Sequence, residues 1–358
     1  MPQASFALRR PEGQFDYSAI RGFFTEKRVL VTGAAGSVGA ALCTRLAQLG
    51  CAHLAMLDQF DHGLLDIVES VNLAAPKLDT TEALCDVRDS GRLDAWMNRI
   101  APDIVIHSAA LKHVHLGERH PVECLFTNLI GVRNAVVSAA NAGASHFVLI
   151  SSDKAAAPTC VMGATKRLAE LYMAGFQMER RSPMRTKSVR FGNVIGSQGS
   201  VLPRFAAQIE AGRSLEVTHP EMERFFMSSE EAVGLILSVA ALEREQGAYF
   251  MEMGEPVSIL ELARDVIANS GKRVQIEFTG LRQGEKLHEQ LTDESEISAP
   301  SAVPGVFRIT PKSVDAYMTS ADVAHLETIA RTMDEAIVRQ RVFAQLDERL
   351  GREERAAG

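Results

Sequence analysis

Cysteine is scarce in this chain and follows no pattern. Cys43, Cys51, Cys85, Cys124 and Cys160 are odd in number, scattered, and nowhere spaced C-x-x-C. That leaves no basis for a disulfide framework and reads as reduced thiols in a cytosolic protein. No apolar run is long enough to cross a bilayer, and Met1 to Gln14 is too polar for a signal peptide. Positive charge is not in surplus: the formal net charge of -7 argues against a nucleic-acid or anionic-membrane surface, while leaving room for local basic pockets. Internal repeats and low-complexity linkers are also missing. What is there is an ordinary globular composition, 46% hydrophobic and 23% charged over 358 residues, enough for two lobes or one domain with an appendage.

Strand and helix patterns alternate through the first half. Lys27 to Thr32, His53 to Leu57, Leu84 to Val87, Ile104 to His107 and Phe147 to Ile150 read as strands. A helix closed by Gly50 follows the first, and Arg92 to Ile100, Pro121 to Ala142 and Gly163 to Glu179 read as helices. This alternation predicts an α/β fold of Rossmann type, a doubly wound parallel sheet with right-handed crossovers. Beyond it, Arg185 to Phe191, Ala248 to Met253 and Arg273 to Thr279 read as strands, and Val201 to Ala211, Ser229 to Leu242 and Ile259 to Ser270 as helices. The division expected is an N-terminal arm (1–26), a dinucleotide-binding domain (27–192, with 228–254 returning to it), a smaller substrate-binding lobe (193–227 and 255–314), and a helical tail (315–358).

Gly33, Gly36 and Gly39 stand where a strand ends and a helix opens, with Ser37 and Val38 between them. Glycines there let the backbone turn tightly and approach a pyrophosphate, which the helix N-terminus stabilises. Asp58 ends the second strand about 20 residues on, where it accepts from a ribose 2′-hydroxyl and disfavours a 2′-phosphate, so NAD is expected over the alternative NADP. Capping of the next segment is the alternative role for that aspartate. The G-x-x-G-x-x-G spacing resembles the extended short-chain dehydrogenase/reductase superfamily. The resemblance extends to Asp86-Val87 at the adenine, to Ser108-Ala109-Ala110 beside the cofactor, and to Met162-x-x-x-Lys166 in place of Tyr-x-x-x-Lys. It implies that Lys166 holds the nicotinamide ribose.

Ser151-Ser152-Asp153-Lys154 follows the fifth strand, on the edge where open α/β sheets bind ligands. Met162, at the superfamily's acid/base position, cannot carry a proton, so Asp153 and Lys154 are the candidates for proton transfer; an exposed loop ion pair is the other reading. Ala109 to Val114, Val161 to Arg167, Arg190 to Val194, Thr218 to Met222 and Gly280 to Leu287 occur in order. Together they resemble the nucleotide-sugar 4,6-dehydratases of the polysaccharide biosynthesis (CapD-like) family that act on UDP-N-acetylglucosamine, and within it the members with methionine, which retain the C5 configuration. The resemblance implies a lyase with tightly bound NAD: oxidation at C4, loss of the C5 proton to Lys154, loss of the C6 hydroxyl assisted by Asp153, and return of hydride to C6, with Ser152 on the C4 oxygen. A UDP-sugar 4-epimerase, a simple dehydrogenase, a C5-inverting dehydratase and a catalytically silent NAD- or UDP-sugar-binding protein are the alternatives.

For the UDP-sugar, Arg224 and Arg282 resemble diphosphate-contacting arginines and Asn193 a substrate-contacting asparagine, while Lys112 and His113 are expected at the same cleft. His113, His115 and His120 lack an acidic or cysteine partner at metal spacing, so no metal is expected. The chain departs from the family at Ser152 (usually threonine), at Ala157 and Cys160 (usually asparagine), and at Arg204, where an apolar residue is usual. Cys160 reads as a small buried filler. Many methionine-type relatives carry transmembrane helices before this domain, and Leu8 to Lys27 looks like the tail of such a linker. The reading is a soluble cytoplasmic homo-oligomer with neither a membrane span nor a nucleic-acid partner.

Overall fold

The computed structural model describes residues 8–242 and 246–352. Nine strands build one sheet: β1 (Arg28–Thr32), β2 (His53–Asp58), β3 (Asp79–Leu84), β4 (Ile104–His107), β5 (His146–Ile150), β6 (Arg185–Arg190), β7 (Gly247–Met251), β8 (Glu296–Pro300) and β9 (Val306–Pro311). Their order is β8-β9-β7-β6-β5-β4-β1-β2-β3. Every pairing from β3 across to β7 is parallel, whereas β9 joins β7, and β8 joins β9, antiparallel. The chain runs outward from β1 to β3, then crosses back to β4 on the other side of β1. The crevice left there is where such sheets take their ligands.

The central strands are almost wholly apolar because both their faces are covered. Helices Ser37–Leu49, Asp61–Ala74 and Ser229–Ala241 bury their apolar stripes on one face around Leu42, Leu46, Ile67 and Leu235. On the other face, Ser90–Ile100, Gly131–Asn141, Val161–Arg180 and the tail helices Ser320–Ala330 and Glu335–Leu350 pack around Leu93, Val136, Leu168 and Val342. A third, smaller core of Phe205, Ile209, Leu215, Val217, Met222 and Leu262 forms a lobe over the C-terminal edge of the sheet. No helix among the described residues is long and apolar enough to cross a membrane.

The structure corrects three expectations. The third strand is Asp79–Leu84, not Leu84 to Val87. As the edge strand, β3 pairs on one side only and keeps a polar sequence, so apolar content does not mark it. The segment 255–314 is not all substrate lobe, because β8 and β9 lie in the main sheet and cover the edge that β7 would leave open. The strand expected from Arg273 to Thr279 pairs only over Ile276–Phe278. The arm also contributes structure: helix Tyr17–Phe24 buries Phe24, Leu8 joins the core of the smaller lobe, and Arg10 pairs with buried Glu231 at the start of helix Ser229–Ala241.

Candidate active site

After β1 the chain turns at Gly33 with φ +67°, in the left-handed region open to glycine, and a Cβ there would lie 2.5 Å from the Ala109 nitrogen. Gly39 packs beneath the turn, where a Cβ would meet the Gly33 carbonyl oxygen at 2.1 Å, and does not reach the cavity wall. Gly36, Ser37 and Val38 do, and they bring the N-terminus of helix Ser37–Leu49 to the cleft. A cavity of about 230 Å³ runs past Asp58, Asp86, Val87, Ala109 and Ala110. The Asp58 carboxylate accepts from the Ala35 and Phe60 amides at 2.9 and 3.0 Å, which holds it at the cavity. Burial works against the Asp86 charge, but its bonds from Arg88 outweigh it and hold the carboxyl below its ordinary range.

Gly36, Ser108, Ala110 and Gln198 also line a second cavity, of about 530 Å³, which continues the first. Ser152, Asp153, Lys154, Met162, Lys166, Lys112, His113 and Asn193 all lie on its wall. β5 ends in a single 3-10 turn, Asp153–Ala155, for which Ser152 is the N-cap. Ser152 Oγ donates to Asp153 Oδ1 at 2.8 Å and accepts from the Lys154 amide at 3.2 Å. Lys154 Nζ donates to the same Oδ1 at 3.0 Å. Asp153 is 1% exposed, and its Oδ2 has no hydrogen-bond partner among the described residues. Helix Val161–Arg180 starts against this turn because position 163 is glycine: a Cβ there would lie 2.2 Å from the Lys154 carbonyl oxygen.

One turn along that helix, Met162 is buried and Lys166 Nζ donates to the Ile150 carbonyl at 2.8 Å. Burial brings the Lys166 pKa down to about 8. Beside it, Asn128 sits in a π-turn, Phe126–Ile130, and exchanges two bonds with the Leu111 backbone, fixing the loop that carries Lys112 and His113. Lys112 Nζ donates to the Gln198 carbonyl at 2.6 Å, and the Gln198 amide donates to Ser37 Oγ at 3.0 Å, so loop 197–201 bridges the two cavities. Burial, then Lys112 and His115, lowers the His113 pKa. Among the described residues no cluster of three or more His, Cys, Asp or Glu is arranged to hold a metal ion.

A third cavity, of about 140 Å³, opens from Asn193 toward the smaller lobe and is lined by Arg204, Thr218, Arg224, Arg282 and Glu285. Arg224 is braced by the Glu223 and Leu287 carbonyls at 2.7 and 3.1 Å. Two residues here escaped the sequence reading. Arg204, noticed only as a departure, reaches the Glu216 carbonyl at 2.7 Å and keeps a buried Nε without a hydrogen-bond partner among the described residues, while burial and then Arg282 lower its pKa. Glu289, with a side chain 3% exposed, lies 3.4 Å from Lys154 Nζ, 3.9 Å from Arg224 Nε and 3.8 Å from Lys286 Nζ. Its position just past the Gly280 to Leu287 motif was its only signal.

Residues 29–311 match the family model described as "Polysaccharide biosynthesis protein". The probable polysaccharide biosynthesis protein EpsC of Bacillus subtilis is 40% identical over 311 residues, which is 85% of this chain and 51% of EpsC; the chain thus spans about half the length of that relative. A protein named UDP-glucose 4-epimerase of Rickettsia canadensis is 32% identical over 291 residues, 80% of this chain and 83% of its own. Among solved structures, Pen from Bacillus thuringiensis superposes with a TM-score of 0.73 at 27% identity, covering 87% of this chain and 99% of that one.

Proposed function

Given that the chain belongs to the polysaccharide biosynthesis protein family, we propose that it is an NAD-dependent lyase that dehydrates a UDP-N-acetylhexosamine across C5 and C6, with UDP-N-acetylglucosamine as substrate and C5 configuration retained. The observation that carries this reading is Met162. It is buried on the wall of the cleft that holds Asp153, Lys154 and Lys166, so proton transfer falls to the Asp153–Lys154 pair.

The glycine turn, the open wall at Gly36 and the carboxylate of Asp58 fit a dinucleotide along the two joined cavities, with Asp58 and Asp86 at the adenosine end and Lys166 at the other. Asp58 favours a free ribose 2′-hydroxyl over a 2′-phosphate, hence NAD. When bound, that group supplies storage for a hydride between C4 and C6. Arg204, Arg224 and Arg282 give a net-acidic protein the local positive charge that a diphosphate requires. The five unpaired cysteines accord with a cytoplasmic setting.

Ser152 can accept the C4 hydroxyl while donating to Asp153, so the C4 proton passes through Ser152 Oγ to the Asp153 carboxylate. Asp153, now an acid, gives that proton to the C6 hydroxyl, which leaves as water. Lys154 takes the C5 proton and later delivers to the same carbon, on the same face, one of its three ammonium hydrogens, which include hydrogens drawn from solvent. Because one group removes and replaces the hydrogen on one face, configuration at C5 is kept. A second reading, 4-epimerisation, takes support from the Rickettsia relative, but Met162 leaves that reaction without the tyrosine it uses elsewhere in the superfamily.

Incubation with UDP-N-acetylglucosamine followed by mass spectrometry tests the proposal. The product is expected to be lighter by one water, and Asp153→Asn is expected to lower its formation by about 10²- to 10⁴-fold. An isobaric product supports epimerisation, and undiminished turnover in the Asp153→Asn variant overturns the acid role.

A further inference from the structure

The role of Lys154 as base, on which this inference rests, carries a requirement of its own. Burial disfavours the charge on Lys154, yet Asp153 and Glu289 outweigh burial and hold its pKa above the ordinary lysine value. Lys154 is therefore an ammonium at rest and cannot take the C5 proton until it has lost its own. The receiving group must lie within reach, be sheltered from solvent, and not be Asp153, which by then carries the C4 proton.

The charged and titratable groups facing Lys154 are few. Arg224 and Lys286 are donors. The Cys160 thiol, its pKa pushed up to about 11 by burial, is already protonated. Glu289 remains. Its Oε1 lies 3.4 Å from Lys154 Nζ, its side chain is 3% exposed, and its Oε2 has no hydrogen-bond partner among the described residues.

We infer that Glu289 is a positioning residue that takes the resting proton of Lys154 and holds it while Lys154 works on C5. The protons balance. At rest Asp153 and Glu289 are carboxylates and Lys154 is an ammonium. The C4 proton goes to Asp153, and one N–H bond of Lys154 breaks as an O–H bond forms on Glu289. The C5–H bond then gives its proton to Lys154, while the Asp153 proton leaves with the C6 hydroxyl as water. Lys154 returns a proton to C5 as C6 regains hydrogen, and Glu289 hands its proton back. All three groups end as they began, and one water has been lost.

The same geometry ties this transfer to substrate. Arg224 Nε lies 3.9 Å from the Glu289 oxygen that faces Lys154. A diphosphate seated on Arg224 competes for that guanidinium, and a carboxylate relieved of one cation is the better base. Glu289 accordingly becomes a proton acceptor when the nucleotide is in place.

Two variants of the full chain test this. Glu289→Gln keeps the shape and removes the charge; Glu289→Asp keeps the charge at shorter reach. The first readout needs no substrate: competitive labelling of Lys154 with acetic anhydride across pH, read by peptide mass spectrometry. Loss of a nearby anion lowers an amine pKa, so the labelling midpoint in Glu289→Gln should fall by about one pH unit or more, while that of Glu289→Asp stays near wild type. The second readout is turnover of UDP-N-acetylglucosamine. In Glu289→Gln, kcat is expected to fall at least tenfold, with KM within about twofold, and Glu289→Asp should recover part of the loss. If the wild type dehydrates the sugar but Glu289→Gln shows an unaltered midpoint or an unaltered kcat, the role of Glu289 is overturned. If the wild type yields no dehydrated sugar, the parent reading fails, whatever the labelling shows.

Discussion

Ala157 and Met162, both read from the sequence as departures from the family it resembles, differ in physical weight. Ala157 adopts φ +41°, in the left-handed region where a residue with a Cβ costs about 1–2 kcal/mol and where asparagine is tolerated better. Ala157→Gly should raise stability by about 0.5–1 kcal/mol in urea unfolding; a loss would show that the loop is not strained there. Met162 lies in helix Val161–Arg180 outside the left-handed region, and its weight in the proposed function is that a thioether has no ionisable proton. The roles proposed for Ser152, Asp153, Lys154 and Lys166 could be framed from sequence because each sits at a fixed offset from a strand end or a helix start. Glu289 could not, since its three cations come from the turn after β5, the strand Glu223–Arg224 and its own loop. Arg204 was equally opaque: only folding brings it beside Arg224 and Arg282.

Among the elements, the buried parallel strands were legible because both faces are covered and their sequences run apolar. The β8–β9 hairpin was not, because an antiparallel edge carries mixed residues and its partner, β7, lies far back in the chain. Beyond its ladder it is fastened by an ionic cluster. Glu296 on β8 accepts from Arg190 Nη1 and Nη2 at 2.9 and 2.7 Å and also pairs with Arg167, while Glu170 faces both arginines. All four side chains are buried, so removing one charge strands the others. Arg167 and Glu170 belong to the helix that carries Met162 and Lys166, so the hairpin and the candidate site share one support. Glu296→Gln is expected to cost about 3 kcal/mol in urea unfolding, with amide exchange rising first over 296–311. A cost under about 1 kcal/mol would mean that the hairpin is held by its ladder alone.

At the level of the whole molecule, the N-terminal arm and the C-terminal helices both pack back on the doubly wound sheet, while the smaller lobe closes over its ligand edge. A chain of net charge -7 nonetheless sets Arg204, Arg224 and Arg282 around one cavity beside the turn of Asp153 and Lys154. On the proposed function, attraction for a diphosphate and elimination chemistry would sit next to each other, and joining them is the central claim. The most direct measurement is NMR and mass spectrometry of the sugar formed from UDP-N-acetylglucosamine in heavy water. The account predicts loss of one water, deuterium at C5, and C5 configuration unchanged. A product of unchanged sugar mass apart from deuterium, or one inverted at C5, would contradict it.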